Sequence, residues 1–321
     1  MIYDGLSFII PTLNEEEGIS GVLDSIKENI DGRFVYEVIV VDNGSCDRTV
    51  EIALKMGAIC FHAPGYSISS LRNLGALEAK CDILVFLDGD VYLRKEWVLQ
   101  IGPVMEKLRC QRHIITGSFC GISDENNWIE RIWFAPRTER REVTQYMNSG
   151  HLIIHRSLFS RVGGFNPDLK TGEDYEFCSR ARKRGARVEN DPELKVVHAG
   201  YPKSIKRFFA RERWHGCGDY QSHKTLLSSK PALVSLANLC VAVICSFAMV
   251  ISKQFWFVFL SIYVLFLAGV SVAASIKRCS DKFNVDFLGN VFLYMVYFTA
   301  RTIALIDVGI RLFSERRPTH V

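Results

Sequence analysis

Two carboxylates separated by one glycine, Asp88-Gly89-Asp90, follow an apolar run at residues 83–87. Such a run reads as a buried strand, and side chains two apart on an extended backbone face the same way. Asp88 and Asp90 therefore converge just past a strand end, and Gly89 between them lets the backbone approach a ligand closely. Carboxylates paired in this way suit a hard divalent cation, Mg2+ or Mn2+, that also takes oxygens from a phosphate. Alone, the pattern equally describes a solvated turn. A second acidic site, Thr171-Gly172-Glu173-Asp174, opens a helical stretch over residues 173–184. A helix dipole stabilises a carboxylate there, although a plain helix cap uses the same residue types. Just upstream, Val162-Gly163-Gly164-Phe165 permits a tight turn beneath a substrate.

These residues need elements to position them. Residues 6–10 read as a short strand ended by Pro11. Residues 18–28 carry helical spacing through Ile19, Val22, Leu23 and Ile26. Residues 35–41 and 58–61 read as strands, 46–55 as a helix after the Asn43-Gly44 turn, and 67–79 as a helix capped near Ser67 or Ser69. Repeated units of this kind predict a mainly parallel α/β sheet covered by helices. Ligands bind beyond the carboxyl ends of such strands. That rule selects residues 11–15, 42–45, 88–90 and the region near Arg72. Further along, 150–155 reads as a strand and 194–197 as a final strand ending at His198. Residues 124–146, polar and charged around Trp128 and Trp133, read as a long loop with some helix over the site.

In this order the pieces resemble the family 2 inverting glycosyltransferases of the GT-A fold. The resemblance rests on Phe8-Ile9-Ile10-Pro11-Thr12-Leu13-Asn14-Glu15, on Val40-Val41-Asp42-Asn43-Gly44-Ser45 with Asp47 and Thr49, and on Leu71-Arg72-Asn73-Leu74-Gly75. It continues through Phe86-Leu87-Asp88-Gly89-Asp90, Gly163-Gly164-Phe165, Gly172-Glu173-Asp174 and His198, and spans residues 6–215. It implies that Pro11, Thr12, Asn14, Glu15 and Asp42 hold the nucleoside of a sugar nucleotide, with Asp42 near the base. Arg72 is implied near the nucleotide and its diphosphate. Asp88, Gly89 and Asp90 are implied at the ribose and a Mn2+ or Mg2+ ion, with Asp90 the firmer metal ligand and His198 completing the metal site. Asp174 matches the general base. The family often has a second Asp where this chain has Asn43, so no role is carried to position 43. The implied reaction is direct displacement at the anomeric carbon. Asp174 takes the acceptor proton, and the metal neutralises charge on the departing nucleoside diphosphate. A second carboxyl, which glycosidases need for a poor leaving group, is then unnecessary. UDP is the commonest donor nucleotide in the family.

Composition adds a membrane. Of 321 residues, 48% are hydrophobic, and a net charge of only +4 does not suit nucleic acid. The start of the chain lacks a basic region ahead of its apolar piece and does not read as a signal peptide. Ten cysteines without CxxC or zinc-like spacing read as free thiols. The catalytic domain is expected over 1–220, closing with a basic interfacial helix where Lys203, Lys206, Arg207, Arg211 and Arg213 crowd together. The membrane anchor is expected over 231–321. Residues 232–251 and 255–276 carry no charge and are long enough to cross a bilayer. With Lys277, Arg278 and Lys282 after the second run, the charge rule puts that loop and the catalytic domain in the cytosol. The third apolar run, 287–310, is interrupted by Arg301 and Asp307 and followed by Arg311, Arg316 and Arg317. It is expected to lie along or re-enter the cytoplasmic leaflet. The acceptor is then a lipid-linked glycan or polyprenyl-phosphate itself, as in a polyprenyl-phosphate glycosyl synthase.

Weaker signals have plain alternatives. Arg211-Glu212-Arg213-Trp214 loosely resembles an acceptor-side element of processive members, with Arg where Gln is usual, and an interfacial basic helix explains it as well. His151 and His155 share one face of a strand and read as buried structural residues. Trp128 and Trp133 suit packing or membrane contact as well as a sugar. A nucleotidyltransferase would want a basic, glycine-rich triphosphate signature near the first strand, where residues 11–15 are acidic instead. A non-catalytic nucleotide-sugar-binding membrane scaffold would not need Asp88, Asp90, Asp174 and His198 together.

Overall fold

The computed structural model describes residues 2–135, 142–220, 226–227, 229–278 and 285–315, with no side chains described at 285 and 312–315. Lys282, Arg316 and Arg317, on which part of the charge argument rests, lie outside this set. The chain divides into two compact units. The first comprises Met1–Asn126 and Ala135–Tyr201, the second Asn127–Phe134 and Pro202–Val321. Residues 202–220 therefore group with the helical part of the chain.

The first unit begins β1(Tyr3–Thr12), α1(Ile19–Ile30), β2(Tyr36–Asp42), α2(Thr49–Lys55), β3(Ile59–His62), α3(Ile68–Glu78) and β4(Cys81–Leu87). These follow the pattern read from sequence within a few residues, and the Ser67 hydroxyl caps α3 by accepting from Ser70 N–H. It continues β5(Val91–Leu93), α4(Trp97–Cys110), β6(Ile114–Gly117), β7(Glu142–Val143), β8(His151–His155), α5(Arg156–Val162), α6(Glu173–Lys183), β9(Arg187–Asn190) and β10(Val196–His198). Eight strands form one sheet in the order β3-β2-β1-β4-β8-β6-β9-β7. Pairing is parallel from β3 through β4, β8 runs antiparallel to both neighbours, and β7 runs antiparallel on the edge. The expected mainly parallel α/β sheet is present.

Alternation along the strands builds two cores. Leu6, Phe8 and Ile10 of β1, with Ile83, Val85 and Leu87 of β4, face α1 and α4. Ile9, Leu84 and Phe86 face the opposite layer with Leu71, Leu158, Phe159 and Phe177 of α3, α5 and α6. Pro11 is tolerated in this central strand because β1 pairs with β4 only as far as Ile9, so the missing donor costs no ladder bond on that side. In α4, Gly102-Pro103 looks like a helix breaker. Pro103 removes one helical donor, and the carbonyl left over belongs to Leu99 on the exposed face, where water can serve it.

Two expectations are corrected. The final strand is Val196–His198, not 194–197, and it lies outside the main sheet, paired antiparallel with β5 so that His198 sits opposite Val91. The segment 124–146 is not one loop. Its helical part, a π-helical turn at Glu130–Phe134, belongs to the second unit. Residues 136–141 lie outside the described set, and Glu142–Val143 pairs with β9.

The second unit contains that turn with α7(Ile205–Asp219), α8(Lys230–Ile251), a 3-10 turn at Lys253–Phe255, α9(Trp256–Arg278) and α10(Val285–Glu315). Among the described residues three helical stretches, Lys230–Ile251, Lys253–Arg278 and Asp286–Arg311, are long and apolar enough to cross a membrane. Trp133 packs into an aromatic cluster with Phe208, Tyr294 and Tyr297, and Trp128 packs against Phe292.

Candidate active site

The carboxyl ends of β1, β2 and β4 and the ribbon of β5 with β10 bring the expected residues to one edge of the first unit. At the end of β2, Asp42 is buried and its carboxylate is fully engaged. Oδ2 accepts from Gly44 and Ser45 N–H at 2.9 Å each, and Oδ1 from Thr12 Oγ1 at 3.3 Å and from the Ser45 hydroxyl. Burial pushes this carboxyl up, but the bonds from Ser45, Gly44 and Thr12 together outweigh it and hold it below the usual range. His62 Nδ1 lies 3.4 Å from Asp42 Oδ2. Asn14 adopts a left-handed φ of 57°, rare outside glycine but tolerated by Asn. Its side chain accepts from Cys46 N–H at 2.9 Å and its N–H donates to Ser45 Oγ at 2.8 Å. Asn14, Thr12 and Asp42 thus lock the loops after β1 and β2 together.

Glu15 N–H donates to Thr49 Oγ1 at 2.8 Å. Burial first, then the charges of Asp90, Asp88 and Asp47, raise its carboxyl to about 7. Gly89 keeps this corner open: a Cβ there would lie 3.2 Å from Glu15 Cγ and 3.4 Å from Thr12 Cγ2.

Asp88 Oδ1 accepts from Arg72 Nη2 at 2.6 Å, and the same guanidinium donates through Nη1 to Glu173 Oε1 at 2.8 Å. Ser149 Oγ donates to that Glu173 oxygen at 3.2 Å. Arg72 is buried on α3 and ties the end of β4 to the first turn of α6. Gly172 caps that helix in the left-handed region at φ 78° and Asp174 follows, its Oδ1 accepting from Tyr175 N–H at 2.6 Å. Burial first, then Glu173, raise the Asp174 carboxyl to about 6, against the pull of Tyr175 N–H and Arg72. An acid poised there is ionised at neutral pH yet basic enough to accept a proton.

Asp90 and His198 meet across the β5–β10 ribbon, with Nε2 3.7 Å from Oδ1. The imidazole stacks on Tyr201 at 4.2 Å, and its buried Nδ1 has no hydrogen-bond partner among the described residues. Gly200 leaves room for the pair, because a Cβ there would run into the Asp90 carboxylate. Among the described residues no three of His, Cys, Asp and Glu are arranged as a complete metal cage. A carboxylate and an imidazole side by side nevertheless fit Mg2+ or Mn2+, which fill the remaining positions with water and phosphate oxygens. The negative charge that lifts Glu15 is of the sign such a cation relieves. Asp88 has one oxygen committed to Arg72.

Two further residues join the site. Glu173 and Ser149 were not among the candidates from sequence, although Glu173 is adjacent to Asp174; only the fold brings Arg72 to it. Arg72 itself is engaged by two carboxylates. His151 and His155 are buried as expected. Trp97 Nε1 donates to His151 Nε2 at 2.9 Å, and His155 caps α5 by accepting from Ser157 N–H. Burial lowers His151 to about 4.

Residues 7–163 match the family described as Glycosyl transferase family 2. The chain is 35% identical over 200 residues to the glycosyltransferase AglE of Haloferax volcanii, covering 56% of this chain and 62% of that one. It is 24% identical over 227 residues to the pre-mycofactocin glycosyltransferase of Mycobacterium tuberculosis, covering 66% and 46%. The chain thus spans about half to three-fifths of the length of these curated relatives. In fold it is similar to the mannosyltransferase PcManGT of Pyrobaculum calidifontis, solved with GDP-Man and Mn2+, with a TM-score of 0.60 and 17% identity over 95% of this chain and 88% of that one. It is also similar to S. aureus TarS 1-349, solved with UDP-GlcNAc, with a TM-score of 0.51 and 17% identity over 92% and 90%. With the sheet, the edge-clustered carboxylates and these relatives in agreement, residues 7–163 of this chain belong to glycosyl transferase family 2.

Proposed function

We propose that this protein is a membrane-anchored inverting glycosyltransferase that moves a sugar from a nucleotide-sugar donor, UDP-linked in the first instance, to a membrane-associated, lipid-linked acceptor. The observation that carries this reading is the Asp88–Arg72–Glu173 bridge, which sets the donor-side carboxylates beside the raised carboxyl of Asp174. Asp174 accepts the proton of the acceptor hydroxyl as it attacks the anomeric carbon from the face opposite the leaving group. The charge of Arg72 favours the ionised form of Asp174, the form that accepts a proton. Pro11, Thr12, Asn14, Glu15 and Asp42 line the nucleoside side, with Gly89 allowing the donor to lie close to the backbone. Asp90 and His198 would hold Mn2+ or Mg2+, assisted by the free oxygen of Asp88; when bound, the ion supplies positive charge for the departing diphosphate. PcManGT with GDP-Man and Mn2+, and TarS with UDP-GlcNAc, support the donor class and the metal. Lys277 and Arg278 at the end of α9 support a cytoplasmic catalytic domain.

The test is nucleoside diphosphate release from a panel of sugar nucleotides, with membranes carrying the protein and Mn2+. Release is expected from one donor class, to depend on the membrane fraction and to vanish in Asp174→Asn. No release from any donor would overturn the reading.

A further inference from the structure

The third apolar helix has the length of a membrane span, but its packing inside the second unit gives it another position. α7 and α10 run side by side in the same direction. Phe208 near the start of α7 clusters with Leu293 and Tyr297, Glu212 pairs with Arg301, Gly216 abuts Ala304, and Tyr220 clusters with Ala304 and Val308. Charge fastens the pair. Arg301 donates to Asp219 at 2.5 Å and to Glu212 at 3.2 Å, and Arg213 grips Asp307 through two bonds of 2.6 and 2.8 Å. The two charges that interrupt the third apolar run are therefore answered from α7.

Whatever depth residues 293–308 occupy, α7 shares it. α7 carries Lys206, Arg207, Arg211, Glu212, Arg213 and Asp219 within fifteen residues, and Lys206, Arg207 and Arg213 are exposed. Sinking it into hydrocarbon would carry the desolvation cost of a charged side chain several times over. The hairpin gives the same answer. Arg278, the last residue of α9, donates to the carbonyls of Ile132 and Trp133, and the Trp133 ring lies 4.8 Å from Tyr294. Ala232, in the first turn of α8, clusters with Ala304, and Asn238 donates to Thr302 Oγ1 at 2.9 Å. The end of α9 and the start of α8 belong to the same side of a hairpin, and α10 reaches from one to the other within about 15 Å of helix. A helix crossing alongside them would instead meet opposite ends of the hairpin. The exposed residues Leu288, Phe292, Ile306 and Ile310 form an apolar stripe on α10, while α7 exposes lysine and arginine.

We infer that α7 and α10 lie together on the lipid surface across the open ends of the α8–α9 hairpin, so that the chain crosses the membrane twice. Basic side chains of α7 meet anionic headgroups, and the apolar stripe of α10 rests in the acyl boundary. The inference does not depend on the transfer reaction. Its test uses the full chain with one short epitope placed before Met1, after Ser252 or after Val321, probed with antibody in intact and permeabilised cells. The two terminal epitopes are expected on one side and the Ser252 epitope on the other. A Val321 epitope on the same side as Ser252 means a third crossing and overturns the inference. All three on one side removes the hairpin and overturns it as well.

Discussion

Arg72 and Glu173 stand 101 positions apart in the chain and are joined by a buried 2.8 Å hydrogen bond, with Asp88 on the other arm of the same guanidinium. This makes Arg72 a positioning residue between the two halves of the site. Removing it leaves two carboxylates facing each other without a counter-charge, and breaking a buried pair costs about 3–5 kcal/mol. Arg72→Ala is expected to lower both the melting temperature and kcat. Arg72→Lys, which keeps the charge but cannot fork between two acids, is expected to recover stability more than kcat. Equal recovery of both would reduce Arg72 to a folding role.

Asp174→Asn is expected to reduce transfer by roughly 10²–10⁴-fold while donor affinity stays close to that of the parent protein. Single-turnover transfer and equilibrium binding of the donor nucleotide measure the two quantities. Near-normal turnover would remove Asp174 from the mechanism.

The pH dependence follows from the same residue. A general base acts in its ionised form, and the Asp174 carboxyl is raised to about 6 by burial and by Glu173. The logarithm of kcat/KM, which reports the free enzyme, should therefore fall with unit slope below about pH 6. Glu173→Gln removes one source of that elevation and should move the limb to lower pH. A limb that stays in place in Glu173→Gln would mean that another group titrates.

Asp90→Ala and His198→Ala are each expected to raise the Mn2+ concentration needed for half-maximal activity, by about 10-fold or more for loss of one ligand group. Metal titration of activity is the measurement. An unchanged requirement in His198→Ala would leave that imidazole as a packing partner of Tyr201.

Gly200→Ala puts a methyl group against the Asp90 carboxylate, which can swing aside because it is the free end of a side chain. The expected outcome is a rise in the Mn2+ concentration needed for half-maximal activity, as in Asp90→Ala, with little change in melting temperature. A large loss of stability instead would show that the ribbon of β5 and β10 had been disrupted.

Most of the catalytic scaffold was legible because it depends on local rules. Alternation along residues 6–10 and 83–87, the 3.6-residue spacing from Ile19 to Ile26 and the turn residues at Asn43-Gly44 each fix an element without reference to distant chain. The strand-end rule then picks out Asp42, Asp88 and Asp90, and the resemblance to family 2 glycosyltransferases adds Asp174 and His198. The tertiary structure decided what those rules cannot reach. The strand ending at His198 leaves the main sheet because it pairs with β5, a choice set by distant backbone partners. Arg72 faces carboxylates because α3 and α6 pack on the same face of the sheet, and no spacing in the sequence brings residues 72 and 173 together. In the helical unit, Arg301 and Asp307 read from sequence as an unmet desolvation cost. Their true cost depends on Glu212, Asp219 and Arg213, which pair with them only when α7 and α10 lie side by side.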